Sequence, residues 1–227
     1  MTTGAARSPA ILTPAFVLVF IALGAAINVV GGYAATLTGL PIFLDAIGTC
    51  LVALVLGPLP GAATAVLTSV VLVPVSGPGN LAFAIVGVGA ALTWGFGVRQ
   101  LGLGRTPARY FALQLLVVLV VSILATPIVL WLFGGGTGHP SDVITAAFAR
   151  LGPWGAVFAD NVLVNLVDKV FTGYVALAAA RSLPPQLIQG GAELPGGGRD
   201  RWVVIATGVV IAAVLLVALL ALRSAGA

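Results

Sequence analysis

Asp160, Asn161, Asn165, Asp168 and Lys169 crowd into one short stretch of otherwise apolar sequence. A charge at the centre of a bilayer costs about 2.5–3.5 kcal/mol on insertion scales, so ionisable residues in such a stretch mark a functional position or a paired charge. At about 100° per residue on a helix, Asn161, Asn165 and Asp168 share one stripe, Lys169 lies at its edge and Asp160 lies well off it. That stripe has to face a bundle interior or a wet cavity. Asn161 and Asn165 suit ligand contact, with interhelical hydrogen bonding as the competing role. Asp168 and Lys169 read as structural or coupling charges, an ion pair with other helices or with a partner subunit. Asp45 stands where a second helix begins, so it is expected to cap that helix, with ligand contact as its other role. Asn80, at the head of a later apolar run, is a further candidate ligand contact. Asn28 reads as an interhelical hydrogen bonder. His139 is the only histidine and Cys50 the only cysteine, so neither a zinc site nor an intrachain disulfide can be assembled.

These residues need a membrane scaffold. Of 227 residues, 60% are hydrophobic and 7% charged, and the mean hydropathy is +1.18. Soluble domains carry roughly 25% charged residues, so most of this surface must meet lipid. Ten basic residues stand against six acidic ones, for a net charge of +4. Without a basic run or interleaved aromatics, that excess reads as membrane orientation and excludes a nucleic-acid partner. The first apolar run is too long for a signal h-region and is expected to stay as an anchor.

A bilayer core about 30 Å thick needs about 20 apolar residues. The runs predict an all-α integral membrane protein of six helices over residues 13–184. A cytoplasmic tail over 1–12 precedes them; a Gly/Pro-rich linker over 185–201, a seventh transmembrane helix over 202–222 and a tail over 223–227 follow. The second and third runs, about 44–56 and 61–73, are short for full crossings. Two crossings are preferred over a re-entrant hairpin. With the amino terminus cytoplasmic, Arg7, Arg99, Arg105, Arg109, Arg181, Arg199 and Arg201 fall inside and only Arg150 and Arg223 outside, a positive-inside bias that predicts a multi-pass cell-membrane protein. Three Gly/Pro-rich loops, 38–45, 74–80 and 134–152, then close an outward cup. Trp94, Trp131 and Trp154 either stack on a flat ligand or anchor at the membrane interface.

Small residues recur at helical spacing: Ala22 and Ala26; Gly61, Ala65 and Ser69; Gly87, Ala91 and Gly95. Such stripes let helices approach closely. Enzyme signatures are missing. No Walker loop, dinucleotide fingerprint, Ser-His-Asp set or carboxylate pair is legible, so ATP hydrolysis belongs elsewhere and no cofactor is expected.

The run Leu40-Pro41-Ile42-Phe43-Leu44-Asp45-Ala46-Ile47-Gly48-Thr49, the following Leu56-Gly57-Pro58-Leu59-Pro60-Gly61-Ala62, and Asn165-Leu166-Val167-Asp168-Lys169 with Ser182-Leu183-Pro184 resemble the substrate-binding S components of energy-coupling factor (ECF) vitamin transporters. The resemblance covers about residues 13–184. It implies a six-helix, S-component-like bundle that captures a vitamin or related micronutrient from outside. It also implies a transmembrane T subunit and two cytoplasmic ATPases as partners, with docking through an Ala-xxx-Ala surface on the first helix that matches Ala22 and Ala26. The family's ligands span flavins, pyridoxine-like and thiamine-precursor rings, biotin, folates and cobalamin, and the sequence does not choose among them. The chain departs from the pattern in its linker and seventh span. Two other classes are a membrane sensor input module, disfavoured by the lack of an effector domain, and a small lipid-modifying enzyme, disfavoured by the lack of a catalytic constellation.

Overall fold

The computed structural model describes residues 13–195 and 201–226, and among them the regular structure is all helix, without strands. The helices are α1 (Pro14–Thr38), α2 (Ile47–Val55), α3 (Pro58–Val71), α4 (Val73–Ser76), α5 (Ala84–Arg99), α6 (Pro107–Phe133), α7 (Asp142–Ala147), α8 (Gly152–Ser182) and α9 (Arg201–Gly226), with short 3-10 turns at Pro78–Phe83, Ala149–Leu151 and Pro185–Leu187. Among the described residues, four segments are long and apolar enough to cross a membrane: Pro14–Thr38, Pro78–Arg99, Pro107–Phe133 and Ala149–Ser182. Their outward faces carry large apolar side chains, among them Leu18, Val30 and Leu37 on α1, Ile123 and Leu132 on α6. That surface is stable against lipid and costly in water. The predicted tail over 1–12 lies outside the described residues.

Local chemistry sets the helix ends. Thr13 and Thr106 cap α1 and α6, each hydroxyl accepting a first-turn N–H, with Pro14 and Pro107 at the first helical position. Gly39 and Gly134 end the same helices in the left-handed conformation, with φ of 64° and 67°. Pro127 lies inside α6 without ending it.

The second apolar run is shorter than predicted. Residues 40–46 are non-helical and α2 spans nine residues, about 14 Å at 1.5 Å rise. From Gly48 to Val55 every residue of α2 is buried, because α1, α3, α5 and α8 all pack on it. This explains why the run is uniformly apolar yet too short to span. α2 lies antiparallel to α1: Gly31 sits against the Leu44 carbonyl, and Gly24 against Gly48 and Val52. A Cβ on Gly48 would stand 1.9 Å from the Gly24 carbonyl oxygen, so the two backbones touch. The stripes on α3 and α5 prove to be internal packing, with Gly87 against Ala65 and Gly95 against Pro58.

The arginine-rich end is tied by the segment after α8. Arg99 donates to the carbonyls of Ala53, Leu54 and Val55 at the end of α2 and to that of Gln189. The Gln189 N–H returns a 2.7 Å bond to the Val55 carbonyl. Arg105 pairs with Glu193, and Arg181 donates to the Leu194 and Pro195 carbonyls. Residues 189–195 of the predicted linker are therefore a strap across this end, and 196–200 lie outside the described residues. α9 follows and packs on α8 and α7, with Val204 and Ile205 buried and Gly208 against the Tyr174 ring.

Candidate functional site

The polar residues of α8 point in three directions, each answered by a different neighbour. Asp168 is fully buried. Its Oδ1 accepts the backbone N–H groups of Phe43 and Leu44 at 3.2 and 2.8 Å, and its Oδ2 accepts from Lys169 Nζ at 2.6 Å. Two unpaired N–H groups in the α1–α2 connector, and one buried ammonium, are thereby satisfied by a single carboxylate. Leu44 has a φ of 53°, the one non-glycine residue in the left-handed region among the described residues. Such a conformation persists only where its surroundings hold it, here the Asp168 bond to its N–H and the space left by Gly31.

Asp45 was expected to cap α2. Instead the cap position is Ala46, with no side-chain cap bond, and Asp45 sits half-buried in the connector within electrostatic reach of Lys169 and Asp168. The cap is not needed locally, because Asn28 does that work from α1. Its Oδ1 accepts the Gly48 and Thr49 N–H groups at 2.6 and 3.3 Å, and its Nδ2 donates to Thr49 and Thr68 Oγ1 at 2.8 and 2.9 Å. Asn28 is the interhelical hydrogen bonder the sequence indicates, and it joins α1, α2 and α3.

On the second face, Asn161 Nδ2 lies 3.3 Å from Thr126 Oγ1 of α6, and Asn165 Nδ2 donates to the Asn161 carbonyl of its own helix at 2.8 Å. The Thr126 hydroxyl in turn donates to the Ser122 carbonyl, while Ser122 Oγ is buried without a partner. An open apolar groove of about 370 Å³ lies outside Thr126, lined also by Ile123, Trp154, Gly155 and Phe158. Trp131 and Trp154 meet edge to face at 5.8 Å on the exposed surface, as interface anchors do. Trp94 differs: it is fully buried and its indole donates to Gln114 Oε1 at 2.9 Å, so it is neither anchor nor ring-stacker.

On the third face, Asp160 meets α7, a helix within the Gly/Pro-rich stretch 134–152. Thr145 Oγ1 donates to Asp160 Oδ2 at 2.9 Å, and Asp160 Oδ1 is buried with no partner. His139 precedes α7. Its Nδ1 lies 3.0 Å from Ser141 Oγ, and its ring stands 4.7 Å from that of Phe43. The other side of this aromatic contact is basic, since Lys169 Nζ lies 5.9 Å from the Phe43 centroid. Phe43 therefore separates the His139 loop from the buried Asp168–Lys169 pair.

Asn80 is placed apart from this assembly. It donates to the Ser69 carbonyl at 3.1 Å, in a turn packed on α3, α5 and α6. Ala22 and Ala26 are exposed on the face of α1 opposite the buried Gly24, Ala25 and Asn28. Cys50 is a buried free thiol in α2. No group of three potential metal ligands occurs among the described residues. Sequence reasoning missed Phe43, Thr126 and Thr145 as partners. Only the hydroxyls carried a local signal, as polar groups in apolar helices. Comparison with models of protein families, with characterised proteins and with solved structures finds no match for this chain.

Proposed function

We propose that the chain is the substrate-capture subunit of an ECF-type importer, binding a vitamin-like molecule from outside beneath the connector over residues 40–46. The observation that supports this most is the connector itself. It is non-helical, carries a strained Leu44, and hangs on Asp168 and on the Phe43–His139 contact. Irregular backbone inside a membrane protein is tolerated where it is enclosed by protein or lines a cavity, and broken segments of this kind are where transport proteins bind substrate. On this reading the connector with α2, and α3 continued by α4, complete a six-crossing bundle with α1, α5, α6 and α8, and α9 is a seventh crossing. The arginine end faces the cytoplasm, and ATP hydrolysis belongs to two partner ATPases that act through a transmembrane T subunit.

The exposed Ala22 and Ala26 supply a smooth face for that subunit, because small side chains let helices approach closely. Leucine at both positions is expected to cut co-purification of the partners at least about tenfold, the effect of losing 1.4 kcal/mol of contact. The chain's own unfolding temperature should stay unchanged, since neither residue is buried. Undiminished co-purification by a well-folded double variant removes α1 as the docking face.

A further inference from the structure

The buried apolar side chains form two groups, and α9 touches both. Toward the arginine end, Val204 belongs to the main core and Ile211 packs against it. At the other end a smaller group, Ile42, Ile144, Val164 and Val167, joins the connector, α7 and α8, and Leu215 and Leu216 pack on it from α9. α9 therefore runs antiparallel to α8, its first half on Tyr174 and its second half over Val164 and Val167. The two halves are seated differently. A Cβ on Gly208 would stand 2.1 Å from the Tyr174 ring. That ring is held in turn: it meets the Tyr110 ring edge-on at 5.5 Å, and the Tyr110 hydroxyl donates to the Gly173 carbonyl at 2.7 Å. The outer group has no such backing. α7 is six residues long and only Ile144 of it is buried. A helix so short depends on tertiary contacts for its stability. It packs on α8, where Thr145 donates to Asp160, and on α9.

We infer that α9 is a clasp on the outer end of the bundle: seated on Tyr174 at Gly208, it holds α7 against α8 and the Ile42 end of the connector, and its displacement frees α7. This rests on the capture reading and deepens it, because access beneath the connector is then governed by a helix outside the six-helix bundle. Elements with few buried apolar contacts open at the lowest free energy. α7 fits that description, whereas α2 is buried from Gly48 to Val55 and the connector is pinned at Phe43 and Leu44 by Asp168. α7 is therefore the element that loosens first when α9 lifts.

The test uses the full chain in detergent with Ile144→Cys as the reporter and the native Cys50, buried in α2, as the internal reference. N-ethylmaleimide labelling of each thiol is followed by peptide mass spectrometry. Two variants displace α9 by different means: Gly208→Ala pushes it off Tyr174, and Leu215→Ala with Leu216→Ala strips its outer contact without touching Gly208. Each is expected to speed labelling at position 144 about tenfold or more over Ile144→Cys alone, through a larger open population, while Cys50 stays unlabelled. Three results overturn the clasp. They are an unchanged rate at 144 in both variants, labelling at 144 that is already fast with α9 intact, and labelling of Cys50 in step with 144, which would make α9 a support of the whole bundle. No ligand or partner enters this readout. A clasp that fails leaves the importer reading standing, and a chain that recruits no ATPases removes the importer reading while the labelling result stands, so the two failures are told apart.

Discussion

Asp168→Ala is expected to destabilise the protein more than any other side-chain truncation on α8. The substitution strands the Lys169 ammonium, which is 5% exposed, and frees the Phe43 and Leu44 N–H groups. Breaking a buried pair by removing one partner costs about 3–5 kcal/mol, a large share of the 5–15 kcal/mol that holds a typical domain. The sharper expectation concerns the double variant. Asp168→Ala with Lys169→Met removes both charges, so it should recover a substantial part of the loss, although the connector N–H groups stay unsatisfied. Asp168→Asn keeps an acceptor for the connector and should fall between wild type and Asp168→Ala. Thermal unfolding of the four proteins in one detergent checks the order. A double variant no more stable than Asp168→Ala would show that the connector bonds, and not the ion pair, dominate. An unimpaired Asp168→Ala would show that neither the ion pair nor the Asp168 bonds to the connector hold the fold.

Gly48→Ala is the second large effect, and it acts through backbone rather than charge. Its Cβ would stand 1.9 Å from the Gly24 oxygen and 2.5 Å from the Gly24 carbonyl carbon. No flexible side chain is there to move aside, so α1 and α2 must separate. Separation also stretches the 2.6 Å bond from the Gly48 N–H to Asn28 Oδ1. Ordinary overpacking costs about 1–3 kcal/mol, and loss of the Asn28 bonds adds to it, so little folded protein is expected. Gly32→Ala is the control. Its Cβ would meet the Asp45 Cβ at 3.3 Å and the Phe43 carbonyl oxygen at an ordinary 3.8 Å, and alanine is favoured over glycine within a helix by up to about 1 kcal/mol. Yields of monodisperse protein for the two variants separate the cases. Equal yields would contradict the backbone contact.

Much of the scaffold was legible because hydropathy and length report directly on lipid contact. The long helices α1, α6 and α8 begin and end close to where the Thr, Pro and Gly signals put them. Asn28 was legible for the same reason, as a lone amide in an apolar helix. The site was less so. Asp45 looked like a cap because local rules look only along the chain, whereas the connector N–H groups are satisfied by Asp168, more than a hundred residues away. α2 gave no readable face because burial by four neighbouring helices leaves the same continuous apolar run as burial by lipid. α7 was hidden because six residues after a Gly-rich loop carry too little periodicity. With α7 unseen, Asp160 had no visible partner and appeared to point away from function.

Capture from outside requires that the end carrying the connector and His139 face outward while the end strapped by Arg99 and Arg105 faces the cytoplasm. Single cysteines at position 139 and at position 105, each in a Cys50→Ala background, test this on intact cells with a membrane-impermeant maleimide. The thiol at position 139 should label on intact cells, and that at 105 only after permeabilisation. Labelling of 105 with protection of 139 on intact cells would turn the protein over and contradict its role in uptake from outside.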